Sequence, residues 1–123
     1  RSRRPVVGLM RRGEVWVASF RHWRRREVGK VRPCLVVQAD WLTQAGGTTI
    51  LVLPLTTQSR REGTERLRIP LPARDRLKRP CFVMVDKMRT IDRGLLGEGP
   101  LTTLTREEMA GVEKSLCAVL GML

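Results

Sequence analysis

Two uninterrupted apolar runs, Leu35-Val36-Val37 and Ile50-Leu51-Val52-Leu53, constrain this chain more than any other feature. Runs of this length, rich in branched residues, suit strands covered on both faces, so they predict two central strands in a sheet. Glu14 to Phe20 differs, setting Val15 and Val17 against Glu14, Trp16 and Ala18, the alternation of a strand with two unlike faces. Cys34 to Ala39, Thr48 to Leu55, Arg66 to Leu71, and Cys81 to Asp86 running on toward Ile91 complete the strand signals. Pro54 has no N–H for the middle of a ladder, so the chain should turn or bend there.

The C-terminal segment changes period. Thr105-Arg106-Glu107-Glu108 is a capping box that starts a helix at Arg106. Met109, Val112, Leu116, Val119, Leu120 and Leu123 then recur at three- and four-residue steps as one apolar stripe, with Gly121 available as the stop. A short helical turn is expected at Asp40 to Gln44. The sum is a mainly β domain with α: a strongly curved antiparallel sheet of about five strands closed by a C-terminal helix. A length of 123 residues fits a single domain.

Charge narrows the partners. The chain carries 24 Lys and Arg against 12 Asp and Glu, a formal net charge of +12, and a surface of that kind attracts a polyanion. The charge is polarised: residues 1 to 32 hold eleven basic and two acidic residues, residues 80 to 123 five and six. Arg21-His22-Trp23-Arg24-Arg25-Arg26 interleaves an aromatic stacking face with phosphate-seeking cations. Trp16 and Trp41 are expected in the core or a dimer interface. No apolar run approaches the roughly 18 to 20 residues that cross a bilayer. The only histidine is His22, which excludes a His-rich metal site. Cys34, Cys81 and Cys117 are widely spaced and lie in apolar stretches, as reduced core residues do. Met10 reads as a native start, with residues 1 to 9 an upstream tail and 10 to 123 the domain.

One constellation stands out. Glu27-Val28-Gly29-Lys30-Val31-Arg32-Pro33 feeds a charged, glycine-containing loop into a buried strand, so Arg32 is held on scaffold at the mouth of the core. Thr56-Thr57-Gln58-Ser59 supplies hydroxyls where the third strand leaves the core. If the second and third strands pair antiparallel, Arg32 and Thr56 converge. The rival for Arg32 is a surface salt bridge with Glu14 or Asp40. Asp86 and Asp92 could equally hold Arg89 and the turn near Gly94.

These residues carry a resemblance. Arg-Arg-Gly-Glu-Val-Trp at 11 to 16, Glu27 to Pro33, Gln38-Ala39-Asp40, Pro54-Leu55-Thr56-Thr57 and Asp86-Lys87-Met88-Arg89-Thr90-Ile91-Asp92 resemble, in order and spacing, the MazF/PemK family of toxin endoribonucleases over residues 11 to about 121. The resemblance implies a homodimer of curved SH3-like barrels in the bacterial cytoplasm. It also implies cleavage of single-stranded RNA without metal or cofactor, restrained by an acidic cognate antitoxin. By the family pattern Arg32 and Thr56 are the catalytic pair. Glu27 is the carboxylate available to take a 2′-hydroxyl proton, and Trp23, Arg24, Arg25, Arg26, Lys30, Thr57 and Asp86 are expected to bind RNA. Some members have a histidine before the Glu27 position and an arginine two before that of Asp86. Here Arg26 and Met84 stand there, so mechanisms built on those groups do not transfer.

The alternatives are a basic module that holds RNA or DNA without breaking a bond, and a toxin of the same fold that acts on a protein target such as gyrase.

Overall fold

The computed structural model describes residues 10–19, 31–58 and 67–123. Among these residues the elements are β1 (Glu14–Ser19), β2 (Val31–Val36), α1 (Asp40–Gln44), β3 (Thr49–Thr56), β4 (Arg68–Leu71), β5 (Cys81–Met84), β6 (Arg89–Asp92), β7 (Leu96–Thr103) and α2 (Arg106–Val119). All strand pairs are antiparallel. The strand path runs β4-β5-β3-β2-β1-β7, with β6 also on β3.

The two apolar runs become the two central strands, as expected, and the reason is visible in which core each residue enters. Leu35, Val37, Leu53 and Leu55 join one cluster with Val83, Met109 and Val112, the core under α2. Cys34, Val36, Ile50 and Val52 join a second with Trp16, Ile91 and Leu96. Consecutive residues of a strand point to opposite faces, so only a continuous apolar run can serve two cores.

Four expectations need correcting. The sheet has seven strands among the described residues, not about five. β7 escapes the strand pattern because its Leu-Gly-Glu-Gly-Pro opening reads as loop, yet it pairs with β1 through two register shifts. Gly99 lies so close to the Trp16 ring that a Cβ there would overlap it, which accounts for the glycine. The run from Cys81 toward Ile91 splits into β5 and β6 around a 3-10 turn at Val85–Lys87. The second strand spans Val31–Val36 rather than Cys34 to Ala39. The barrel is left open, because β4 and β7 end the strand path without pairing with each other. Trp16 is buried, in the core as one of its two expected places, and Trp41 is 73% exposed on α1, which leaves the dimer interface as its expected place.

The closing helix follows its sequence signal closely. Thr105 Oγ1 accepts from the Glu108 N–H and Glu108 Oε1 from the Thr105 N–H, completing the capping box. Helix α2 ends at Val119 with Leu120 as its cap, and Gly121 follows with a φ of +73° that is costly for other residues. Met109 and Val112 are buried, whereas Val119, Leu120, Met122 and Leu123 are exposed, so the last part of the expected stripe lies bare.

Candidate active site

The site lies where the β2–β3 ladder stops. Cys34 pairs with Pro54, Leu35 with Leu53 and Val36 with Val52, and Arg32 and Thr56 lie two residues beyond this end of the ladder, one on each strand. The ladder ends at Cys34 and Pro54. Beyond Pro54, β3 takes β5 as its partner, with Leu55 opposite Val83 and Thr56 opposite Phe82. β2 meanwhile stays on β1, with Arg32 opposite Ala18. Pro33 and Pro54 have no N–H to extend the pairing. The result is a notch floored by Cys34 and Pro54, with Arg32 on one lip and Thr56 on the other.

Alternation assigns the facing. Arg32 shares the parity of Cys34, and Thr56 that of Pro54 and Val52, so both belong to the face away from α2. Arg32 is half-buried, and its guanidinium makes no hydrogen bond or ion pair with any described residue. Glu14 and Asp40 make other contacts. Glu14 Oε1 accepts from the Arg11 N–H (2.9 Å) and the Trp16 indole N–H (3.0 Å), and Asp40 Oδ1 accepts from the Arg12 N–H (2.8 Å). Thr56 Oγ1 accepts from the Gln58 N–H at 3.2 Å, a bond that uses a lone pair and leaves the hydroxyl proton to be donated. Thr57 is exposed beside it.

Asp86 is paired with cations of its own. Its Oδ1 lies 2.7 Å from Arg68 Nη1 and its Oδ2 3.7 Å from Lys87 Nζ. Burial alone would raise its pKa, but the hydrogen bond and charge of Arg68 outweigh that and hold it below the usual carboxylate range. Asp92 does tie the turn, accepting from the Gly94 N–H at 2.8 Å. Trp23, Arg24, Arg25, Arg26, Glu27 and Lys30 lie outside the described residues.

Two further side chains share the Arg32–Thr56 face. Arg89 sits on β6 opposite Val52, two residues from the core residue Ile91. Burial lowers its pKa, and its charge acts on Cys34. The Cys34 thiol is pushed up to about 12 by burial, against the opposing pull of Arg89, so it floors the notch as a neutral thiol and not as a nucleophile. Phe82 lies directly across from Thr56. The sequence offered a signal for both in the period-two alternation of β5 and β6, but not the strand neighbours that bring them to Thr56 and Cys34. Among the described residues no three His, Cys, Asp or Glu side chains gather as metal ligands do. An open groove of about 680 Å³ between β4 and α2, lined in part by Arg68, Ile69, Lys114 and Leu123, lies on the helix side of the sheet, away from the notch.

Comparison with known proteins agrees with this architecture. Residues 11–120 match the model of the PemK-like, MazF-like toxin of type II toxin-antitoxin systems. A probable endoribonuclease MazF of Mycolicibacterium smegmatis is 32% identical over 92% of this chain and 98% of its own. The endoribonuclease MazF of Staphylococcus epidermidis is 27% identical over 93% of each. Among solved structures, MazF of Deinococcus radiodurans superposes with a TM-score of 0.72 at 22% identity, covering 92% of this chain and 97% of that one. A mycobacterial endoribonuclease in complex with its cognate antitoxin gives 0.71 at 20% identity, covering 93% and 97%. With a matched domain of nearly full length and full-length relatives of the same kind, the chain belongs to the PemK-like, MazF-like toxins of type II toxin-antitoxin systems.

Proposed function

We propose that this toxin is a metal-independent endoribonuclease that cuts single-stranded RNA at short sequences and so halts translation and growth. The observation that carries the reading is the notch: a half-buried guanidinium with no partner among the described residues, opposite a hydroxyl whose proton is free to donate. Its curated relatives are named endoribonucleases, which supports the same reaction class.

RNA carries its own nucleophile. The 2′-oxygen attacks phosphorus, the P–O5′ bond breaks, and the products are a 2′,3′-cyclic phosphate and a 5′-hydroxyl. The reaction needs a base for the 2′-proton, a proton for O5′, and stabilisation of the charge that builds on the phosphorane oxygens. Arg32 clamps those oxygens with two N–H donors and Thr56 adds a third. Arg32 acts here by charge and hydrogen bonding and is not assigned the role of the acid. Glu27 takes the 2′-hydroxyl proton, and solvent water supplies the proton that O5′ needs as it leaves. Trp23, Arg24, Arg25, Arg26, Lys30 and Thr57 hold the strand on either side, and Asp86 acts by orienting Arg68 at the flank.

Two protein partners follow. An acidic antitoxin neutralises a chain of net charge +12, and relatives have been solved in complex with antitoxins. A second copy covers apolar surface such as the exposed end of α2, where residues 115 to 123 carry no charge. No helix among the described residues is long and apolar enough to cross a membrane, and the site of action is the bacterial cytoplasm.

The test is incubation with a long mixed-sequence RNA in EDTA, beside Arg32→Ala, with the 5′ ends of the fragments mapped. Discrete fragments with 5′-hydroxyl ends, absent in the variant, are expected. RNA that shifts on a gel yet stays intact makes the protein a binding module and removes the catalytic roles of Arg32 and Thr56. Growth inhibition that survives Arg32→Ala points instead to a protein target.

A further inference from the structure

We infer that Phe82 is a base-stacking platform that makes the site select unpaired nucleotides. The inference rests on the ribonuclease reading for where the RNA phosphate lies, but its own observations are separate. Phe82 sits in the short strand β5 between Cys81 and Val83, both buried in the core under α2, so alternation turns its ring to the opposite face. There it is half-buried and packs against neither hydrophobic core. It lies directly across from Thr56 on one side and Pro70 on the other. A large ring left partly bare has given up burial that a core position would supply.

Aromatic rings are scarce in this chain: three Trp, two Phe and no Tyr. Trp16 is buried with its indole N–H donated to Glu14, and Trp41 projects from α1. Among the described residues Trp16 shares the face of Arg32 and Thr56 but is buried in its core, so Phe82 is the partly exposed aromatic side chain on that face. Paired residues of adjacent strands hold their Cβ atoms about 5 Å apart. A nucleotide whose phosphate meets the Thr56 hydroxyl thus has its base within reach of the Phe82 ring.

Stacking on a phenyl ring accepts any base, because every base has a π-face. It does not accept a base already sandwiched in a duplex. Phe82 accordingly reads whether the nucleotide is unpaired, while base identity is left to other contacts. The rival role is structural, a Phe82–Pro70 contact that only stabilises the β4–β5 pair.

The experiment uses uncleavable 2′-O-methyl RNA octamers, single-stranded or annealed to their complements. Binding is followed by anisotropy for wild type, Phe82→Leu and Phe82→Trp across a salt series, and each variant is melted in parallel. Phe82→Leu is expected to weaken single-strand binding about 5- to 100-fold. Duplex binding should stay unchanged, and so should the slope of log affinity against log salt, since no phosphate contact is lost. Phe82→Trp restores affinity, and its emission is quenched by the single strand. Single-strand affinity within twofold of wild type in Phe82→Leu, equal losses on both RNA forms, or no RNA binding by wild type would each overturn the inference. Loss of melting temperature in Phe82→Leu without rescue of binding by Phe82→Trp overturns it in favour of the structural role. If these binding results hold while wild type leaves unmodified RNA intact, only the ribonuclease reading fails.

Discussion

Arg74, beneath the start of α2, and Arg32, at the mouth of the β2–β3 ladder, are both half-buried, yet one is saturated and the other open. Arg74 gives Nη1 and Nη2 to the two oxygens of Glu108 at 2.8 and 2.7 Å, Nε to Thr102 Oγ1 at 3.1 Å, and Nη2 again to the Thr103 carbonyl at 3.2 Å. Thr102 in turn donates to Asp75 Oδ2 at 2.6 Å. Every polar group there is answered, and the network fastens α2 to β7 and to the turn before β5. Arg32 meets no carboxylate among the described residues: the β1–β2 register sets it opposite Ala18, four residues along the strand from Glu14, and Asp40 Oδ1 accepts from the Arg12 N–H. A charge built into a closed network stabilises the fold; a charge held on rigid scaffold and left unanswered is available to a ligand.

The sharpest way to break this contrast is to remove each arginine and read both stability and activity. Arg32→Ala is expected to lower single-turnover cleavage about 10²- to 10³-fold, the usual scale for losing a principal donor to a transition-state oxyanion. Its urea midpoint should stay near that of wild type. Thr56→Val, which keeps the shape and deletes the hydroxyl, should cost about 10-fold or somewhat more, since it removes one neutral donor. An Arg32→Ala protein that cuts RNA as fast as wild type would dissolve the distinction.

Arg74→Met is the reciprocal case. It leaves Glu108 with its Thr105 partners but without its cation, and it strands Thr102 and the Thr103 carbonyl. A loss of about 2 kcal/mol in urea unfolding is expected, with cleavage by the remaining folded protein unchanged. A variant that keeps its stability and loses its activity would place Arg74 with Arg32 rather than against it.

The same contrast explains what could be read from the sequence. The antiparallel pairing of β2 and β3 was legible because both are continuous apolar runs, and it leaves Arg32 and Thr56 beyond the same end of the ladder. The cap of α2 was legible because Thr105 and Glu108 satisfy each other locally. β7 was not, because Gly97, Gly99 and Pro100 carry loop chemistry, and only the Trp16 ring packed against Gly99 explains them. Nor were Phe82 and Arg89, whose place at the notch depends on β5 and β6 sharing the far edge of β3. The closed network is likewise a product of distance: Arg74 and Glu108 are separated by 34 positions, and no local pattern links them.

That network also sets an acid limit on the sealed side of the molecule. The hydrogen bonds from Arg74 are the largest influence on Glu108 and, with the Thr105 N–H, carry its pKa from 4.5 down to about 2 against the opposing effect of burial. A carboxylate depressed in the folded state contributes stability that is fully present above its unfolded pKa and is lost as pH falls through the folded one. The window is therefore about pH 4.5 down to 2. Because the carboxylate is 29% exposed, solvent screening reduces the contribution to about 1 kcal/mol. Urea unfolding measured at intervals from pH 6 to 2.5 should show wild type losing that increment where Glu108→Gln does not, and Arg74→Met should flatten the same part of the curve. Parallel curves for wild type and Glu108→Gln would mean that the acid sensitivity of the fold lies in other carboxylates and that the Arg74 network stabilises through its hydrogen bonds alone.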